Sequence, residues 1–271
     1  MKIGASMLAT EDRTIEEALE YFDSNEYIDY VEIVHDYPYR DINEDTELID
    51  LINSYDLKYT VHAPFIDINI ASLNPAVADF SVMEIERSID LANMIDSDIV
   101  VVHPGILGFH GRGREDIVYQ ISEEHLKIVG DYAKDCGVDA CIENLPNITD
   151  FMFMDVNQLN ETLERLELPM TMDIGHAHTN GFTPDEIYFD SIKHIHVHDN
   201  SGDDDTHLAL GKGTFDVNGF FDVFTKNNYD GIYMLELVSV DFIEKSIEYM
   251  KNLGLIWVCW KHYMGISIYE K

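Results

Sequence analysis

The stretch Ile99-Val100-Val101-Val102-His103 is an apolar run that ends in a histidine. An amphipathic segment follows from about Glu115 to Asp135, and Gly137 stands where a helix would stop. Ala140-Cys141-Ile142-Glu143 then repeats the theme, apolar residues closed by a polar one. A short, nearly continuous apolar run suits a strand buried on both faces of a parallel sheet. Strand, helix, strand is the unit from which such sheets are built.

The same unit recurs on both sides. Towards the N-terminus, Lys2 to Met7 precedes a helical segment from Thr14 to Phe22, and Tyr30 to Val34 precedes one from about Thr46 to Ser54. Tyr59-Thr60-Val61-His62 precedes a long helix from Pro75 to about Met94, with proline in its first turn. Towards the C-terminus, Asp155 caps a helix through Leu166. Met170-Thr171-Met172-Asp173 is followed by a short helix after Thr183-Pro184. His194 to His198 leads to a helix beginning near Asn218, and Ile232 to Glu236 leads to one from about Asp241 to Asn252. Eight strands, each followed by a helix, predict an α/β protein with a single (β/α)8 TIM barrel over residues 1–254. The 271 residues suit that fold. No Gly-x-Gly-x-x-Gly follows the first strand, which removes the main argument for a dinucleotide fold. Residues 255–271 fall outside the pattern. Their Trp257, Trp260 and Tyr263 predict an extension packed on the barrel or at a subunit contact.

Composition narrows the partners. The net charge is −35, from 52 acidic and 17 basic residues, so the surface repels polyanions. That argues against non-specific DNA binding, which depends on Lys and Arg. Cys136, Cys141 and Cys259 form no C-x-x-C pair, so neither a disulfide framework nor a zinc–thiolate site is expected. No apolar run has membrane-spanning length, and the N-terminus opens on strand-like residues without a signal region. A cytoplasmic enzyme is the expectation.

The polar residues are informative by position, because barrel chemistry sits where strands end. The third strand ends in His62, the fourth in His103 and the fifth in Glu143. The sixth delivers Asp173 and His176, the seventh His196, and the eighth Glu236. The loop after the seventh strand carries Asp205 and His207. Any one of these alone reads as a hydrogen-bonded structural residue. Together they crowd carboxylates onto one rim, at a cost that cations must offset. Only Arg112, Arg114 and Lys212 lie near in sequence. Divalent metal is the cheaper explanation, and imidazole with carboxylate suits zinc, manganese or iron. His194 and His198 share a strand face with His196 and read as supporting residues or interior filling. His35, His110, His125 and His262 read as structural or solvated.

These motifs resemble the xylose isomerase-like barrels (AP endonuclease family 2), which include endonuclease IV and many sugar isomerases and epimerases. The resemblance runs from about Lys2 to Val238. His62-Ala63-Pro64-Phe65 through Ser72, His103-Pro104-Gly105, Glu143-Asn144, Asp173-Ile174-Gly175-His176, His196-Val197-His198-Asp199 and Asp205-Thr206-His207 through Gly213 resemble successive signatures of endonuclease IV. By that resemblance, His62, His103 and Glu143 bind one zinc ion. Glu143 bridges to a second, held also by Asp173, His196 and Glu236. His176, Asp205 and His207 hold a third. Two departures stand out: the loop from His35 to Asp45 is acidic where endonuclease IV carries DNA-gripping residues, and Phe65 replaces the expected tyrosine.

Two activities follow. The first is phosphoester hydrolysis by metal-bound hydroxide, favoured by the nine-residue ligand set, with DNA as substrate disfavoured by charge. The alternative is isomerisation or epimerisation of a sugar or sugar phosphate with a single divalent metal, zinc or manganese. There Glu143 and Glu236 would move the proton, His176 would bind substrate, and Lys212 or Arg112 would hold a phosphate. A metal-binding barrel without catalysis is the third reading.

Overall fold

The structure is a computed structural model and describes residues 1–256. Trp257, Trp260 and Tyr263, with the role expected for the extension, lie outside the described residues. The strands are β1 (Lys2–Ser6), β2 (Tyr30–Val34), β3 (Lys58–His62), β4 (Ile99–Val102), β5 (Asp139–Glu143), β6 (Met170–Asp173), β7 (Ile192–Val197) and β8 (Ile232–Leu235). They pair in parallel in chain order, and β1 pairs with β8 to close the barrel. The predicted α/β barrel is therefore the observed one.

The helices between them are α1 (Ile15–Asp23), α2 (Thr46–Ile52), α3 (Pro75–Met94), α4 (Gly108–Gly111) and α5 (Glu115–Cys136). They continue as α6 (Val156–Leu166), α7 (Ile174–Thr179), α8 (Val217–Lys226) and α9 (Val240–Asn252). Local chemistry sets their ends. Thr14 and Glu17 form a reciprocal capping box at 3.2 and 3.0 Å before α1. Asn74, Asp155 and Ser239 cap α3, α6 and α9 with their side chains. Gly137 ends α5 at φ +76°, a left-handed conformation that glycine adopts without steric cost. No helix among the described residues is long and apolar enough to cross a membrane.

Two local expectations change. The short helix expected after Thr183-Pro184 is a single 3-10 turn, Pro184–Glu186. The real helix, α7, starts at once after β6, because Asp173 caps it: Asp173 Oδ1 accepts from the His176 N–H at 2.6 Å. Asp173 thus ends a strand and starts a helix in the same residue.

Register brings the polar strand ends to one rim. Val34 lies opposite His62, His62 opposite Val101, and Glu143 opposite Thr171. Asp173 lies opposite His196, and Val197 opposite Leu235. Alternation does the rest. Val31, Ile33, Ile195 and Val197 are buried in the apolar layer between strands and helices. Glu32, His194 and His196 point the other way and meet inside the barrel, although β2 and β7 are not neighbours in the sheet. The interior below the rim is thus partly polar, where bulky branched residues usually dominate.

Candidate metal centre

The nine sequence-selected residues converge. His62 Nε2 and His103 Nε2 stand 3.4 and 2.9 Å from Glu143 Oε2. The other oxygen of that carboxylate, Oε1, stands 2.9 Å from His196 Nδ1. The same Nδ1 lies 3.2 Å from Glu236 Oε2 and 3.8 Å from Asp173 Oδ2. Glu143 therefore faces two groups with its two oxygens, as a bridging ligand would. Further along the rim, His176 Nε2 and His207 Nε2 each stand 3.1 Å from Asp205 Oδ2. Each of these groups is compact enough to share one ion.

The donor chemistry fits cations. Glu143, Asp173 and Glu236 are buried, and no Lys or Arg pairs with them among the described residues. Glu143 Oε2, Asp173 Oδ2 and Asp205 Oδ1 are buried without a hydrogen-bond partner. Unpaired buried carboxylate oxygens cost several kcal/mol unless a positive charge meets them. Without metal, imidazolium has to supply that charge. Burial disfavours a charged His207, but the Asp205 hydrogen bond and the Glu236 charge outweigh it and push its pKa up to about 9. Burial likewise opposes ionisation of Glu236, and the charge of His196 overcomes it, drawing the carboxyl down to about 2. Burial also opposes ionisation of Glu143, and the charges of His196 and His103 hold it well below the usual range.

Supporting contacts orient the imidazoles. His62, His176 and His207 each direct Nδ1 at a backbone carbonyl: Ala63 at 2.7 Å, Asn144 at 2.8 Å and Glu236 at 2.8 Å. A carbonyl only accepts, so Nδ1 carries a proton, and in the neutral ring that leaves the Nε2 lone pair free to meet a cation among the carboxylates. The rings of His176 and His207 lie at 80°, so their planes intersect and can share an ion. His198 is different. Its ring stacks on His207 at 3.9 Å and 11°, and near-parallel planes cannot both contain one ion. His198 Nε2 instead lies 3.1 Å from Asp173 Oδ1, where it can donate and orient that carboxylate. His207 is held at φ +44°, a strained conformation for a non-glycine residue of a kind that clusters at functional sites.

Sequence reasoning left several residues without a role. Asn144 pairs its side-chain amide with the backbone of Asp173, donating at 2.9 Å and accepting at 2.8 Å. Asp199 accepts from the N–H groups of Gly213 and Phe215 at 2.8 and 3.2 Å, which gathers the loop bearing Asp205 and His207. Gly175 is needed because a Cβ there would lie 2.0 Å from His198 Cε1. Gly175→Ala is expected to displace His198 and release Asp173. Overpacking of this kind costs about 1–3 kcal/mol, read as a lowered denaturation midpoint together with weaker metal retention.

The residues expected to hold a phosphate are Arg112 and Lys212. Arg112 directs Nε and Nη2 at both oxygens of Asp150, at 2.7 and 2.6 Å, so its guanidinium is already engaged. Lys212 is exposed on the loop after β7 and forms no ion pair among the described residues. Neither forms an ion pair with the rim carboxylates among the described residues. Phe65 sits closer, with its ring 5.3 Å from His62 and 5.1 Å from His103.

A closed parallel barrel with histidines and carboxylates converging at the C-terminal strand ends defines a class, that of α/β barrels whose rim can hold divalent ions. Within that class, this chain belongs to the xylose isomerase-like TIM barrel family, whose profile matches residues 26–253. An uncharacterized protein of Methanocaldococcus jannaschii is 30% identical over 260 residues, covering 93% of this chain and 99% of the relative. Among solved structures, a D-tagatose 3-epimerase-like protein is 30% identical with a TM-score of 0.84, covering 93% of this chain and 96% of that one. A D-psicose 3-epimerase superposes with a TM-score of 0.78 over 94% of this chain and 100% of that one, at 14% identity, a likeness of fold alone. The neighbour at 30% identity is named for similarity to a sugar epimerase, not to a hydrolase or a DNA-repair enzyme.

Proposed function

We propose that this protein is a divalent-metal-dependent epimerase or isomerase of a ketose or ketose phosphate. The observation that carries the reading is the placement of Glu143 and Glu236. They come from β5 and from the end of β8, and both converge on His196 Nδ1 beside Asp173. Two carboxylates on one quartet can address a substrate carbon from two directions. A divalent ion held there supplies Lewis acidity to a substrate oxygen. One glutamate, as the anion, takes the proton from the carbon beside the carbonyl. The other, also an anion in the free protein, takes a proton from solvent when the substrate complex forms and returns it to the opposite face of the carbon; exchange with solvent then resets the pair. The relationship to a D-tagatose 3-epimerase-like protein supports the same chemistry.

His176, Asp205 and His207 favour a second reading, hydrolysis with up to three zinc ions, because a single-metal epimerase does not need that trio. The test is incubation with D-tagatose, D-psicose and D-fructose, free and phosphorylated, in deuterated water with manganese, cobalt or zinc. The expected result is an epimer or isomer carrying deuterium at the carbon beside the carbonyl. Incision of abasic DNA or cleavage of a simple phosphoester, with no deuterium entering any ketose, would transfer the case to hydrolysis.

A further inference from the structure

Below the rim, Glu32 lies at the barrel centre with no exposure to solvent. Its Oε2 accepts from Thr60 Oγ1 at 3.0 Å and lies 3.0 Å from His194 Nε2. Its Oε1 stands 3.1 Å from His196 Nε2, an ion-pair contact between two buried atoms that have no hydrogen-bond partner elsewhere and whose angle falls short of a regular hydrogen bond. No Lys or Arg reaches this carboxylate among the described residues. The other ligand-type imidazoles whose second nitrogen is anchored (His62, His176 and His207) present Nε2 to the rim and anchor Nδ1 on a carbonyl. His196 is turned over. It presents Nδ1 to Glu143, Asp173 and Glu236 and directs Nε2 down at Glu32.

We infer that Glu32 is a positioning residue: its buried carboxylate takes the Nε2–H of His196 and so commits the Nδ1 lone pair to the ion in the Glu143–Asp173–Glu236 quartet. The reason is elementary. An ionised carboxylate only accepts, so the nitrogen facing it carries the proton. Neutral imidazole has one lone pair left, and it points at the quartet. A carboxylate partner also makes the imidazole a more basic ligand than a carbonyl partner does, and loss of such partners lowers metal affinity about 10–100-fold. Thr60 and His194 both meet the other oxygen of Glu32, Oε2, which anchors the carboxylate beneath the quartet. In the sequence Glu32 is only a lone acidic residue interrupting the apolar strand Tyr30-Val31-Glu32-Ile33-Val34.

The inference rests on the quartet holding a divalent ion. The experiment measures cobalt affinity by competition with a chromophoric chelator, and the cobalt d–d spectrum, for the wild type, Glu32→Gln and Glu143→Gln. Glu32→Gln is expected to bind cobalt about 10–100-fold more weakly, with a shifted spectrum and an unchanged far-UV circular dichroism signal. Equal affinity and an identical spectrum would overturn the inference and leave the proposed function standing. Wild-type binding that is indifferent to Glu143→Gln would overturn both. Loss of one whole ion with the Glu143-dependent ion intact would mean that Glu32, His194 and His196 themselves hold a cation, which also overturns positioning. If Glu32→Gln does not fold, 15N-histidine NMR of the zinc-loaded wild type decides. Nε2–H on His196 is expected, and Nδ1–H refutes the inference.

Discussion

Glu143→Gln is expected to lower ketose epimerisation by about 10⁴-fold, the upper end of what a positioned acid–base group contributes. The substitution keeps shape and removes charge. Glu143 faces both neighbouring groups with its carboxylate, Oε2 towards His62 and His103 and Oε1 towards His196. A carboxamide presents one acceptor and one donor, so one of those groups meets an N–H where it needs an oxygen lone pair. Proton transfer and metal retention are therefore lost together. Deuterium exchange at the substrate carbon separates this outcome from a folding defect, since it stops while the circular dichroism spectrum stays the same. An exchange rate within tenfold of the wild type would remove Glu143 from the chemistry.

Removing divalent metal is expected to lower the thermal midpoint by about 10 °C near neutral pH. An ion present at a thousand times its Kd adds about 4 kcal/mol of stability. In a domain of this size each kcal/mol moves Tm by roughly 2–4 °C. The difference should also depend on pH in a stated direction. In the metal-free protein, His207 is raised from 6.5 to about 9. Its contribution to metal-free stability is therefore complete below 6.5 and is lost as pH rises through about 9. Metal needs the neutral imidazole, so metal binding gains over the same interval. The gap between metal-loaded and metal-free midpoints should widen from pH 6.5 to 9. Glu236, depressed to about 2, acts only at the acid end: its contribution is present above 4.5 and is lost as pH falls through 2. Differential scanning calorimetry at pH 6, 7.5 and 9, with and without chelator, tests both magnitude and direction. A gap that narrows with rising pH contradicts the assignment of His207 to a cation site.

The rim was legible in the sequence because a parallel barrel makes position along a strand equivalent to height in the molecule. Residues ending successive strands must meet, and His62, His103, Glu143, Asp173, His196 and Glu236 do. What was not legible is contact across the barrel. Glu32 and His196 are 164 positions apart in chain number and sit on strands that do not pair. Nothing local to Tyr30–Val34 marks Glu32 as more than an interruption of an apolar run. Arg112 shows the same limit. Its charge and loop position suited a phosphate, while its actual partner, Asp150, lies on the loop after β5 and is brought near by the fold.

Periodicity and strand-end chemistry, both properties of short segments, carried the barrel and the identity of the convergent residues. Hydrophobic burial enforces that pattern in any chain that repeats it eight times. The orientation of each group came from packing between distant segments. Which nitrogen of His196 faces the quartet depends on Glu32, and His198 is kept from sharing an ion with His207 by a ring stack. A side chain's direction is set by the partner that satisfies its buried polar atoms, and that partner is chosen by the closed sheet rather than by neighbours along the chain.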